Sequence, residues 1–181
     1  MSFYLPFLSV LLLTACADTP KPRGKPVPDL QYSHLEKLHA RGEGAIIKQS
    51  YVESDVGNDL SIPLPALVHR YLNSRFMVSL EEAGVEIDIK SLNVTREVTD
   101  EGVFGGLLGG DEHITAKVVL VFTPLIPGTL DQIYTLTAQR RLMINANMPL
   151  ADRELAEVEL LEALIGDIDR KVVPLFAPKV R

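Results

Sequence analysis

Four histidines, one cysteine, a glycine-rich stretch and an acidic C-terminal segment are the features of this 181-residue chain that could carry chemistry. The histidines (His34, His39, His69, His113) show no zinc-helix spacing such as H-E-x-x-H. A single cysteine leaves neither a Cys-based zinc site nor a disulfide framework, so no metal site is expected. No G-x-S-x-G nucleophile elbow is present, and no catalytic residue can be nominated. Glu154, Glu157, Glu159, Glu162, Asp167 and Asp169 fall around what reads as the outer face of a helix, where solvated carboxylates are expected. Arg140-Arg141 lies in a strand pattern, which sends one guanidinium to each face. Arg140 shares the apolar parity and is expected to meet a carboxylate or to mark the exposed part of the strand.

The glycine-rich stretch 102–110 reads GVFGGLLGG. It is no phosphate loop, since no Lys-Ser or Lys-Thr follows and Asp111-Glu112 would repel a phosphate. A strand follows it, not a helix, which excludes a dinucleotide fingerprint. What it offers is Val103, Phe104, Leu107 and Leu108 on an adaptable backbone. The expectation is a contact for a partner or a lipid, against the plainer alternative of apolar side chains folded back onto a sheet edge.

Composition narrows the classes. Eighteen Lys and Arg against 24 Asp and Glu give a net charge of −6, the wrong sign for a general nucleic-acid binder. Apolar content of 46% suits one globular domain. Trp is absent, so a carbohydrate-stacking site is not expected. The reading is non-enzymatic, with no cofactor beyond covalent lipid.

That lipid is suggested by the first sixteen residues, MSFYLPFLSVLLLTAC, which carry no charge. The apolar run from Phe7 to Leu13 is far short of the ~20 residues that span a bilayer, but suits a signal-peptide core. Its end, Leu13-Thr14-Ala15-Cys16, resembles the lipobox of bacterial lipoproteins at all four positions. The resemblance implies acylation of Cys16 and removal of residues 1–15. Ala17 follows, and Asp18 stands one place later than the inner-membrane retention signal of enterobacterial lipoproteins, which implies the outer membrane. Ala15-Cys16-Ala17 also fits an ordinary signal-peptidase site, which would release a soluble periplasmic protein.

Residues 16–29 then read as the lipidated Cys and a Pro-rich tether, with Pro20, Pro22, Pro26 and Pro28 among three cations. Such a segment stays extended at ~3.1 Å per residue and holds the domain up to roughly 40 Å from the lipid. Residues 30–181 form one domain. AIIKQSYV from Ala45 reads as a strand. Leu64, Leu67, Val68, Tyr71, Leu72, Phe76, Leu80 and Ala83 predict a helix ending at Gly84. Val85, Ile87 and Ile89 change parity against Leu92, Val94 and Val98, which requires a β-bulge near Lys90-Ser91. Runs at Ile114–Phe122 and Tyr134–Ile144 predict an antiparallel hairpin, the first strand central and well covered. Leu155, Val158, Leu161, Ile165, Ile168 and Val172 mark a final helix that Pro174 should stop. The fold class is α+β: a two-layer sandwich of about four mostly antiparallel strands with two amphipathic helices on one face.

This order, behind a lipobox and a tether, resembles YajG-type bacterial outer-membrane lipoproteins. It is similar in layout to the lipopolysaccharide-assembly lipoprotein and to auxiliary lipoproteins of lipid-transporting ABC systems. The resemblance implies an envelope protein that docks onto, or helps assemble, a larger envelope complex. The alternative is an auxiliary lipid- or substrate-handling subunit of a transport system. Only Cys16 is matched residue by residue.

Overall fold

Alternating apolar residues in three consecutive runs build the sheet, and two apolar helical stripes cover one face of it. A computed structural model describes residues 30–40, 44–52, 57–79, 82–99 and 110–177. The expected signal peptide, Cys16, the expected tether and the proposed contact residues Val103, Phe104, Leu107 and Leu108 lie outside the described residues. The elements are β1 (Gly44–Gln49), α1 (Leu64–Arg75), β2 (Ala83–Thr99), β3 (Asp111–Pro124), β4 (Tyr134–Ile144) and α2 (Leu150–Phe176). The four strands stand in the order β1-β2-β3-β4. β1 runs parallel to β2, with α1 as the crossover that a parallel pair requires. β2, β3 and β4 form an antiparallel meander. The fold is the expected α+β sandwich with an open sheet.

The bulge falls where the parity change demands it. Ile89 pairs with Leu120 and Ser91 with Val119, so Lys90 is skipped. Val85, Ile87, Ile89, Leu92 and Val94 therefore all face the helices and are buried. On β3, Ile114, Ala116, Val118, Leu120 and Phe122 are fully buried on that face. β3 is central, but it is covered on one face only. Val119 and Val121 on the other face are half-buried and Lys117 is exposed. Beneath the helices the rings of Phe76, Phe122 and Phe176 meet at centroid distances of 5.2–6.5 Å, and a buried side chain of this size contributes ~1.5–3 kcal/mol.

Both helices depart from expectation at an end. α1 stops at Arg75, well short of the expected end at Ala83-Gly84; Leu80 lies outside the described residues. Phe76 turns extended, and the chain after it docks on β1: Ala45 N–H donates to Met77 O at 2.7 Å and Ser79 N–H to Ala45 O at 3.2 Å. Edge pairing outbids the helical periodicity there. Gly44 permits the approach, since a Cβ at this position would stand 2.5 Å from Met77 O. Gly84 belongs to β2 and caps nothing.

α2 runs past Pro174 to Phe176, and Ala177 N–H closes its last turn on Val173 O. One proline in the last turn removes a single hydrogen bond without ending the helix. The buried stripe is Val158, Leu161, Leu164, Ile165, Ile168 and Val172, whereas Leu155 is 41% exposed. No described helix is long and apolar enough to cross a membrane.

Candidate functional site

The C-terminal turn of α1 holds the segment that leads into the domain. Arg75 lies on the inner side of that turn, with its side chain only 8% exposed. Its Nε and Nη2 donate to the two oxygens of Asp169 on α2 at 2.7 and 2.9 Å. Tyr71, one turn earlier, donates its hydroxyl to the same carboxylate at 2.9 Å. The Asp169 bond raises the Arg75 pKa against the effect of burial. Arg75 Nη1 donates to the Glu36 carbonyl, and Leu38 N–H donates to Arg75 O at 2.6 Å. Arg70 donates to Leu30 O at 2.9 Å. Residues 30–40 are thereby strapped across the helical layer. Tyr32, on the strap itself and edge-on to Tyr71 at 5.8 Å, is buried. Its phenol is pushed up to about 12 by burial and by Glu162, against Arg70.

A second charged cluster ties the far end of the sheet to α2. Arg96 on β2 donates to Asp59 at 2.9 Å, Glu112 at 2.8 Å and Glu157 at 3.1 Å. Ser61 donates both its N–H and its hydroxyl to Glu157 Oε2, at 3.0 and 2.7 Å. Burial alone would lower the Arg96 pKa, but Glu112 and Glu157 reverse it and hold the guanidinium charged. These groups line a cleft of about 230 Å³ with Arg153 and Glu154. All three guanidinium nitrogens of Arg96 are committed to carboxylates, so the cluster reads as an electrostatic staple and not as a substrate clamp.

The sheet face turned away from the helices carries Thr135, Thr137, Gln139, Arg141 and Met143, all exposed. The Asp88 carboxylate is buried on that face, accepting from Ser50 at 3.0 Å and paired with Lys90 at 2.6 Å. Its burial would raise the carboxyl pKa, and these hydrogen bonds bring it below the ordinary value.

No protein-family model matches the chain, and no curated protein matches it. Solved structures similar to it in outline include two bacterial proteins. One is a minor lipoprotein from Acinetobacter baumannii, 14% identical over 72% of this chain and 88% of that one, with a TM-score of 0.39. The other is the rare lipoprotein B from Shewanella oneidensis, 10% identical over 72% of this chain and 97% of that one, with a TM-score of 0.39. Both are bacterial lipoproteins.

His34 and His39 are exposed on the strap. His69 reaches Gln49 at 3.2 Å, and burial lowers its pKa. Arg140 does meet a carboxylate, Asp167, with Nη2 to Oδ1 at 2.7 Å. The expectation of solvated carboxylates on α2 fails for three of them. Glu157 is 8% exposed, Asp169 holds Arg75, and Asp167 holds Arg140 and Arg170. Arg75 and Arg96 were missed, because Asp169 stands 94 positions from the first, Asp59, Glu112 and Glu157 stand 37, 16 and 61 positions from the second, and no local pattern announces them.

One further concavity lies between the strap, the β3–β4 turn and the end of α2. It measures about 850 Å³ and is lined by Leu38, Leu130, Tyr134, Leu175 and Phe176, with Lys37, His39, Glu36 and Asp131 around them. That volume falls in the range of small-ligand sites.

Proposed function

We propose that this protein is a non-enzymatic envelope lipoprotein, held at the outer membrane by acylated Cys16, whose domain docks onto or helps assemble a larger envelope complex. The observation that carries the reading is the run Leu13-Thr14-Ala15-Cys16 ahead of a Pro-rich tether, with the only cysteine of the chain at the acylation position. A multiply acylated cysteine gives a stable anchor where a single chain holds only marginally. Val103, Phe104, Leu107 and Leu108 are the proposed partner contact, and no cofactor or metal is invoked.

Radiolabelled palmitate tests the anchor. The wild type takes up label and the Cys16→Ser variant does not, accumulating as an uncut precursor. Label in the mutant, or none in the wild type, overturns the reading and leaves the soluble periplasmic alternative. Cross-linking in intact cells then identifies the docking complex. The concavity beside Phe176 favours one second reading, a lipid- or substrate-handling subunit of an envelope transporter. Phospholipid that co-purifies with the chain and is lost on Leu130→Glu substitution would select it.

A further inference from the structure

β4 is the last strand of the sheet, and among the described residues no strand lies along its outer edge. Parity decides which backbone groups that edge presents. Leu125 N–H donates to Gly84 O at 3.0 Å, so odd-numbered residues of β3 turn their backbone groups toward β2 and even-numbered ones toward β4. The β3–β4 register pairs even with even, from Phe122 with Tyr134 to Glu112 with Ile144, without a shift. Leu136, Ala138, Arg140 and Leu142 therefore direct their N–H and C=O groups at β3. Thr135, Thr137, Gln139, Arg141 and Met143 present theirs at the open edge, and all five side chains are exposed. Lys171 of α2 bears out the direction, its Nζ donating to Thr137 O at 2.6 Å.

This edge is basic, in a chain whose net charge is −6. Arg140 and Arg170 share Asp167, Arg141 stands 3.9 Å from Glu97 across β3, and Lys171 holds a carbonyl. A lysine and an inward-turned charge beside an edge deter indiscriminate pairing. Here they deter a second copy, which would bring the same four cations to the joint. Residues 17–29 are excluded as well, since Lys21, Arg23 and Lys25 repel and the four prolines lack the N–H a ladder needs. An extended segment with carboxylates at alternate positions answers both the free backbone groups and the excess positive charge. We propose that the β4 edge is a docking site for an acidic strand of a partner protein, which adds itself to the sheet and draws Lys171 from Thr137 O onto its own carboxylate. Backbone bonds along the edge supply affinity, and the cations choose the strand. The site is independent of Cys16 and of the contact proposed at residues 103–108.

The test uses the full chain in neutral detergent and two synthetic peptides, one alternating Val with Glu and the other Val with Lys. Amide hydrogen exchange is followed residue by residue by NMR. Without peptide, the N–H groups of Thr137, Gln139 and Arg141 should exchange fast and those of Ala138 and Arg140 slowly. The Val-Glu peptide should slow the first set about tenfold or more, and the Val-Lys peptide should leave it unchanged. Gln139→Pro removes an edge donor that the ladder to β3 does not use, so the circular dichroism spectrum should hold while the protection is lost. Arg141→Glu combined with Lys171→Glu should reverse the preference to the Val-Lys peptide. Should Gln139→Pro fail to fold, this charge-reversed variant decides alone. No protection by either peptide means the cations only guard the edge, and equal protection by both means charge does not choose the strand; each overturns the proposal. Edge amides that are already slow without peptide overturn it too, a second copy being the cover if dilution releases them.

Discussion

Arg75 and Asp169, 94 positions apart in the chain, form a two-pronged ion pair at 2.7 and 2.9 Å that joins the end of α1 to the last turns of α2. The same guanidinium holds the Glu36 carbonyl, so one side chain fastens both helices and the strap. Removing the carboxylate strands a buried cation and leaves the Tyr71 hydroxyl without its acceptor.

Asp169→Ala should therefore lower stability by about 3 kcal/mol, the low end for a broken buried pair because Asp169 keeps some solvent contact. Urea midpoints report the loss. Limited proteolysis should cut within residues 30–40 faster in the variant than in wild type. An unchanged cleavage rate would separate the strap from this pair.

Leu161 is fully buried and Glu159, two residues away, is exposed. Leu161→Ala should cost ~2–5 kcal/mol and Glu159→Ala less than about 0.5. Coincident denaturation midpoints would contradict the face assigned to α2.

The bulge makes a sharper prediction. Because Lys90 is skipped by the β2–β3 pairing, deleting it restores strict alternation and keeps Ile89, Leu92 and Val94 facing inward. The deletion variant should fold, at a cost of about 1 kcal/mol for the lost Asp88 pair. Deleting Val119 from the partner strand turns Ile114, Ala116 and Val118 outward and should abolish folding. Far-ultraviolet circular dichroism and gel filtration tell the two apart.

Acid should weaken the fold in two stages. His69 is held below its ordinary 6.5 by burial, so the unfolded chain takes up its proton first and stability falls as pH drops below that value. Asp167 is held below 3.8, first by the Arg140 hydrogen bond. Its contribution is complete above that value and is lost as pH falls through the lowered one. His69→Gln should remove the first stage alone and Asp167→Asn part of the second, read as urea midpoint against pH.

Much of this architecture was legible locally. Strict alternation at Ile114–Phe122 and Tyr134–Ile144 named two strands, and the parity change after Ile89 located the bulge, because side-chain period and one-sided burial leave no other solution. The end of α1 was not legible, since Leu80 and Ala83 prolong its stripe. Only the hydrogen bonds of residues 77–79 to β1 decide otherwise. Pro174 misled for a related reason: a helix end is set by what its last turn packs on, and here Phe176 packs on Phe76 and Phe122.

The candidate site divides along the same line. The sequence by itself determined the class of fold and the buried face of β2, β3 and β4, which are written in neighbouring residues, and it raised the expectation of an acylated Cys16 followed by a Pro-rich tether. Tertiary structure alone decided that β1 runs parallel to β2 and that Glu157, Asp167 and Asp169 leave solvent for Arg96, Arg140 and Arg75. Burial and charge pairing depend on distances in space, and a chain folded into layers brings together residues that no sequence window contains.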